Sequence, residues 1–310
     1  MTAFVWLNPY ANRWQAGRQR EAVEAALQQA GVDYTLAVSA GPRDALTKVA
    51  HAVQQGYAPI IAAGGDGTIG EVINGMARGA GNAPWPRFGV LPLGTANDLA
   101  DNVGLPRELD KAVEVIARGH TRPMDAIRIT VENAQGETST WYSVNNTALG
   151  LEPTITKLQQ EMRWAKGTLR YLLATLRGVL RHPIWQAELT WENGHYRGPI
   201  NLVSVGNHKR TGGLFYMTPH ADGFDGQLTF IYGHAATRGR VLRALPHALH
   251  AEEDHIATVP DIHEIHSPFL EVRLDPPSPF HADGELYVAD AVALRFEALE
   301  GQVPLLLGEQ

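Results

Sequence analysis

Residues 58–68, Ala-Pro-Ile-Ile-Ala-Ala-Gly-Gly-Asp-Gly-Thr, join a buried-looking apolar run to a glycine turn that carries one acid and one hydroxyl. The next residues, Ile69 to Arg78, read as a helix. Strand, tight turn and helix in that order form a βα unit, and such units build parallel sheets. Gly64, Gly65 and Gly67 tolerate positive φ and carry no Cβ, so backbone N–H groups can approach an anion closely there. The positive end of the helix faces the same point. A carboxylate beside phosphate oxygens is repulsive unless a cation lies between them. Asp66 is therefore a candidate magnesium or metal-water partner, and Thr68 a candidate hydroxyl donor to phosphate. Taken alone, the tetrapeptide also reads as a plain βα turn with a capping Asp.

Residues 88–98, Phe-Gly-Val-Leu-Pro-Leu-Gly-Thr-Ala-Asn-Asp, repeat the arrangement about thirty residues later. In a parallel sheet both turns lie at the carboxyl ends of strands, where α/β folds place their ligands. Thr95, Asn97 and Asp98 each match ordinary N-cap chemistry. The two turns together favour a nucleotide crevice.

Strand and helix signals alternate from Met1 to about Pro123, which predicts a doubly wound α/β domain. Beyond Pro123 the pattern becomes short period-two runs separated by turn residues, which predicts a mainly antiparallel β sandwich or barrel. Helical segments around 154–182 and 237–251 interrupt it. The tail, Leu294 to Leu307, either ends the second domain or returns to the first.

Composition removes several alternatives. No cysteine is present, so disulfides, thiolate metal sites and thiol nucleophiles are excluded, and a reducing cytoplasm fits. The formal net charge of −7 argues against a broad nucleic-acid surface. No apolar run reaches the roughly 18 residues of a bilayer span, and Met1 to Leu7 reads as a first strand, not a signal peptide. The thirteen histidines, His247, His250, His255, His263 and His266 among them, match no zinc spacing.

Four motifs appear in order: Gly64-Gly65-Asp66-Gly67-Thr68, Leu91-Pro92-Leu93-Gly94-Thr95-Ala96-Asn97-Asp98, Asp222-Gly223-Phe224-Asp225-Gly226-Gln227-Leu228 and Asp283-Gly284-Glu285. They span nearly the whole chain. In them the sequence resembles the bacterial diacylglycerol-kinase-like lipid kinases, which are related to sphingosine kinases and more distantly to NAD kinases. The resemblance implies an ATP- and Mg2+-dependent lipid kinase. It implies a nucleotide domain at 1–123, completed by the tail 291–310, and a β-rich lipid-substrate domain at 124–290. Asn8, Ser39, Gly64, Gly65, Asp66, Gly67, Thr68, Glu71, Thr95 and Asn97 then fall to the nucleotide. Asp66 and Asp98 fall to the catalytic magnesium, with Asp125 linked to that network. A structural magnesium is implied at Asp222, Asp225 and Gln227, where a plain Asp-Gly turn is the alternative. Glu285 becomes the proton acceptor with Asp283 beside it, although Asp-Gly-Glu is also a common hairpin turn. Tyr10-Ala11-Asn12-Arg13 departs from the family's Ser-Gly, leaving the roles of Asn12 and Arg13 open, and Glu152 replaces a more usual Asp and receives no role.

A lipid substrate needs a membrane-facing surface. Residues 157–181 carry six cations, Lys157, Arg163, Lys166, Arg170, Arg177 and Arg181, against the single acid Glu161. On one continuous helix all of those cations but Lys157 fall on one side, with Leu158, Met162, Leu169, Leu172, Leu176 and Leu180 outside it. Trp164 and Tyr171 add interfacial aromatics. Such a helix suits a peripheral membrane surface, and equally a solvated face packed on a sheet. The expectation is a cytoplasmic lipid kinase that meets membrane transiently. Its rivals are an NAD-kinase-like phosphotransferase on a soluble substrate and a non-catalytic nucleotide-binding regulatory module. Oligomeric state is not legible.

Overall fold

The computed structural model describes residues 2–11, 19–162, 167–181, 183–252 and 254–308, without the side chains of Gln160 and residues 167–172. The chain divides into two units, Met1–Ala126 with Leu299–Gln310, and Ile127–Ala298. An α/β domain and a mainly antiparallel β domain are what the structure shows.

In the first unit, strands β1 (Ala3–Leu7), β2 (Tyr34–Val38), β3 (Ile60–Gly64) and β4 (Phe88–Pro92) are parallel. Their order is β2-β1-β3-β4, and the last stretch of the chain adds a further parallel strand through Leu305 opposite Phe88. β1, β3 and β4 are buried along their full length because helices cover both faces. Alternate residues Val5, Leu7, Ile61 and Ala63 pack with Val23 and Leu27 of α1 (Arg20–Gln29). The opposite face carries α2 (Ala45–Gln54) and α3 (Asp66–Ala80). These two helices pack closely because α3 presents Gly75 and Gly79. A Cβ on either would lie 2.7 Å from the Ala45 carbonyl or 2.6 Å from the Ala50 carbonyl. Short α4 (Asp98–Asn102) and α5 (Leu109–Arg118) follow β4, and α5 stops at Gly119 in the left-handed region.

The second unit takes the chain from within β5 (Thr121–Asn133), followed by β6 (Thr138–Ser143) and β7 (Asn146–Gly150). Helices α6 (Leu151–Glu161) and α7 (Gly167–Arg181) come next, then β8 (Trp185–Trp191), β9 (Gly194–Ile200), β10 (Leu202–Gly206) and β11 (Leu228–Gly233). α8 (Arg238–Ala244), β12 (Ile262–Ser267), β13 (Phe269–Ala282) and β14 (Glu285–Leu306) complete the chain. The ladders registered within this unit are antiparallel. β13 pairs with β14 and also with two further strands: Leu270–Asp275 pair with β8, and Phe280–Ala282 pair with β7. Pro276 and Pro277 lie between, where a ladder lacking N–H donors must break.

The single basic helix expected over 157–181 does not form. α6 ends at Glu161, Met162 leaves helical geometry at φ −86°, ψ 57°, and a second helix starts at Gly167. The two helices fold on each other, burying Leu158 and Met162 against Ala174 and Val179, with Gly178 pressed on Ile155. A single continuous basic face over these residues therefore does not exist. Arg163, Trp164 and Lys166, with Asn12 and Arg13, lie outside the described residues, as do the side chains of Leu169, Arg170, Tyr171 and Leu172.

Candidate active site

The strand order reverses its direction of growth between β1 and β3, and ligand sites of open α/β sheets lie at the carboxyl ends of such strands. Asn8 follows β1 and Gly64 ends β3. Asn8 Nδ2 donates to Thr68 Oγ1 at 3.0 Å, closing the two strand ends together. Thr68 is buried and packs over Gly64 so tightly that a Cβ there would lie 2.3 Å from its hydroxyl.

The second glycine turn sits directly against the first. A Cβ at Gly94 would lie 2.4 Å from Gly65 Cα, and Leu93 N donates to the Gly64 carbonyl at 2.9 Å. The reason for glycine here differs from the sequence expectation: Gly64, Gly65 and Gly94 are absent from the positive-φ residues, and close approach is what excludes a side chain at them. The left-handed residue is Asn97, at φ 54°. Its side chain is turned onto the loop, accepting from Gly94 N at 2.9 Å and donating to the Pro92 and Gly94 carbonyls at 3.2 and 3.1 Å. Asn97 thus shapes the turn, leaving Thr95, which is exposed, as the outward hydroxyl.

α3 begins at Asp66, three residues earlier than the sequence pattern suggests, so Asp66 occupies the first helical position beside the helix's positive end. Its Oδ1 accepts from Leu99 N at 3.2 Å, which places Asp66 next to the turn that presents Asp98. Asp98 is buried, 2% exposed. Magnesium takes one or two carboxylates and completes its shell with water and phosphate oxygens. Two carboxylates beside two glycine turns meet that chemistry.

Other residues assigned to the nucleotide side have local tasks. Ser39 Oγ donates to the Gly41 carbonyl at 2.9 Å. Glu71 Oε1 accepts from Arg43 N at 2.8 Å, holding the loop after β2 to α3, and burial raises its carboxyl above the ordinary range against the pull of Arg43. Asp125 is 1% exposed and its Oδ1 accepts from Gly301 N at 2.7 Å, tying β5 to β14.

In the second unit, Asp283 and Gly284 form a two-residue hairpin turn between β13 and β14, with φ 45° and 83°. The turn reading and the acid reading are both realised. Asp283 is 6% exposed, and its Oδ1 accepts from Ser143 Oγ at 2.7 Å, Asn145 N at 3.1 Å and Asn146 N at 3.2 Å. Val144 N donates to Oδ2 at 3.3 Å. Burial pushes this carboxyl up to about 6, and the four hydrogen bonds oppose the rise. Glu285, the first residue of β14, is exposed. The hairpin separates a buried acid from an accessible one.

The loop Asp222–Gln227 connects to Asp283 through intermediates, His208 and Asn145. Gly223 packs on His208, whose N–H donates to the Asn145 carbonyl. Asp225 Oδ1 accepts from Gln227 N at 2.9 Å, an Asx turn that accounts for the bend, while Asp222, Asp225 and Gln227 are all exposed. Among the described residues no cluster of three His, Cys, Asp or Glu side chains is arranged to hold a metal.

Residues 2–129 match the family model of the diacylglycerol kinase catalytic domain, and residues 145–306 match the YegS C-terminal NAD kinase beta sandwich-like domain. The chain is 32% identical over 269 residues to lipid kinase YegS of Escherichia coli strain K12, covering 86% of this chain and 84% of that protein. It belongs to the diacylglycerol-kinase-like lipid kinase family. A crystal structure of a diacylglycerol kinase from Bacillus anthracis strain Sterne superimposes with a TM-score of 0.75 at 22% identity, over 99% of this chain and 97% of that one. That likeness extends the shared fold through both units of the chain.

Sequence reasoning missed Arg107. Its guanidinium pairs with Asp101 at 2.7 and 2.6 Å and donates to the Ala96 carbonyl at 2.8 Å, bracing the second glycine turn from outside. An Arg six residues from an Asp, beyond a short helix, has no local pattern that announces it.

Proposed function

We propose that this lipid kinase transfers the γ-phosphoryl group of ATP to a lipid hydroxyl of the diacylglycerol or phosphatidylglycerol type. The observation that carries the reading is the meeting of two glycine turns at the sheet's reversal point, with Gly65 against Gly94 and Asn8 bonded to Thr68. Backbone N–H groups of Gly64–Thr68 and the Thr95 hydroxyl would hold the phosphates, and Asp66 and Asp98 would hold magnesium, which would supply positive charge against the negative charge of the phosphates. The acceptor oxygen forms a bond to the γ-phosphorus as the bond to ADP breaks, and its proton passes to Glu285, the accessible carboxylate of the hairpin. Asp283 keeps that hairpin in place through its four hydrogen bonds.

Contact with membrane is part of the reading. Leu176, Leu180 and Ile184 are 44%, 50% and 41% exposed, beside the exposed Arg177 and Arg181. An apolar stripe flanked by cations complements an anionic lipid surface. Among the described residues no helix is long and apolar enough to cross a membrane. A cytoplasmic enzyme that touches membrane transiently fits these features and its use of ATP.

The second family model is described as NAD-kinase-like, so the test includes that substrate. Enzyme is incubated with γ-labelled ATP and either extracted lipids or NAD. Label is expected in the lipid fraction; label confined to the aqueous dinucleotide fraction overturns the proposal.

A further inference from the structure

Asp98, assigned above to magnesium, opens a helix of only five residues, Asp98–Asn102. So short a helix has few hydrogen bonds of its own to fix its direction. The missing constraint comes from Arg107, which lies beyond the helix and outside the four sequence motifs. Its Nε donates to Asp101 Oδ1 at 2.7 Å and its Nη2 to Asp101 Oδ2 at 2.6 Å, while Nη2 also donates to the Ala96 carbonyl at 2.8 Å. Ala96 precedes Asp98 and Asp101 follows it, so one planar group ties the chain on both sides of that carboxylate. A further tie comes from Leu99 N, which donates to Asp66 Oδ1 at 3.2 Å and sets the same helix against the first glycine turn.

The two halves of the second turn are held by different side chains. Asn97 accepts from Gly94 N and donates to the Pro92 and Gly94 carbonyls. Those bonds run back towards β4, whereas the bonds of Arg107 run forward from Ala96 into the helix. The glycine backbone and the acid are therefore supported separately. The Arg107 and Asp101 side chains are 48% and 23% exposed, a setting in which an ion pair adds little to stability. A bidentate pair with a further bond to a backbone carbonyl fixes geometry instead. Nε and Nη2 are both committed to this clamp, which marks Arg107 as a support for Asp98 and not as a group held ready for phosphate.

We infer that Arg107, with Asp101, is a positioning residue for Asp98, and that this clamp sets the affinity for the divalent cation of the nucleotide complex. As a feature of the magnesium site this rests on the kinase reading above. Groups that orient a metal's ligands without touching the metal govern its affinity by about 10- to 100-fold. Loss of the clamp therefore weakens nucleotide binding where magnesium takes part in it, and spares binding of the nucleotide alone.

The test is calorimetric titration of full-length protein with β,γ-methylene ATP, once with saturating magnesium and once with EDTA. Wild type is expected to bind more tightly with magnesium. Arg107→Ala and Asp101→Asn are each expected to lose at least about tenfold of the affinity measured with magnesium, and to stay within about twofold of wild type in EDTA. The double variant is expected to be no weaker than either single one, because the two residues act as one unit. Urea unfolding checks that each variant is folded; should Arg107→Ala fail, Arg107→Lys, which keeps the charge and loses the fork, replaces it with the same expectation. Equal losses with and without magnesium overturn the inference, as does a loss in Arg107→Ala that Asp101→Asn does not share, the mark of direct contact with phosphate. Unchanged affinities in both variants, losses that add in the double variant, or a wild-type affinity that magnesium does not raise overturn it too. The measurement needs no turnover. Failure of the kinase reading, seen as no label passing from ATP to any lipid despite magnesium-dependent binding, is thus distinguishable from failure of the clamp.

Discussion

Replacing Asp283 by Asn removes the one buried carboxyl in the hairpin that burial pushes up to about 6, from an ordinary value of 3.8. In the unfolded chain that carboxyl loses its proton near pH 4, whereas in the folded protein it keeps the proton to about pH 6. Between those values the folded state binds more protons, so wild-type stability falls as pH rises through the window. A shift of about 2 units at about 1.4 kcal/mol each gives a loss of about 3 kcal/mol from pH 4 to pH 7. The Asn variant keeps an oxygen for the three donors now on Oδ1 and sets its amide against Val144 N–H, a pH-independent penalty of about 1 kcal/mol. Urea unfolding followed by tryptophan fluorescence at pH 4, 5, 6, 7 and 8 measures both proteins. Wild-type minus variant stability is expected to fall by about 3 kcal/mol between pH 4 and 7 and then level off. A constant difference would refute the reasoning. A difference that rises with pH would show that the four hydrogen bonds outweigh desolvation.

Gly94→Ala places a Cβ 2.4 Å from Gly65 Cα and 2.6 Å from Asn97 Oδ1, so the two turns must separate. An overpacking cost of about 1–3 kcal/mol at this junction, if borne by the bound state, corresponds to roughly 5- to 150-fold loss of affinity for a non-hydrolysable ATP analogue. Calorimetry showing unchanged affinity would remove the junction from nucleotide binding. Asn97→Ala deletes one accepted and two donated hydrogen bonds at a left-handed residue. It should cost about 2 kcal/mol in urea unfolding, and a loss under about 0.5 kcal/mol would contradict the turn-shaping role.

The parallel half of the fold was legible because its information is local. Unbroken apolar runs such as Ile60–Ala63 and Phe88–Leu91 end in glycine turns, and each becomes a strand buried on both faces. The nature of the glycine requirement was not legible, because it depends on Gly65 meeting Gly94, 29 positions away. The second half was read more coarsely. β7, five residues long and polar at its start, is too short to show a period. The break between Glu161 and Gly167 is marked in the sequence by that glycine alone, and the packing of α7 on α6 could not be read from it. Asp283 was legible as a turn and as an acid, but its burial is made by Ser143 to Asn146, some 140 residues earlier.

The central claim is phosphoryl transfer to a lipid hydroxyl, and mass spectrometry of total lipids tests it most directly. Lipid extract is incubated with magnesium, ATP and either wild-type protein or the Asp66→Ala variant. With wild type, a lipid class is expected to gain about 80 Da, the mass of one added phosphoryl group, and Asp66→Ala should leave that class unchanged. No 80 Da gain in any class, from folded wild-type protein with magnesium and ATP present, would contradict the account.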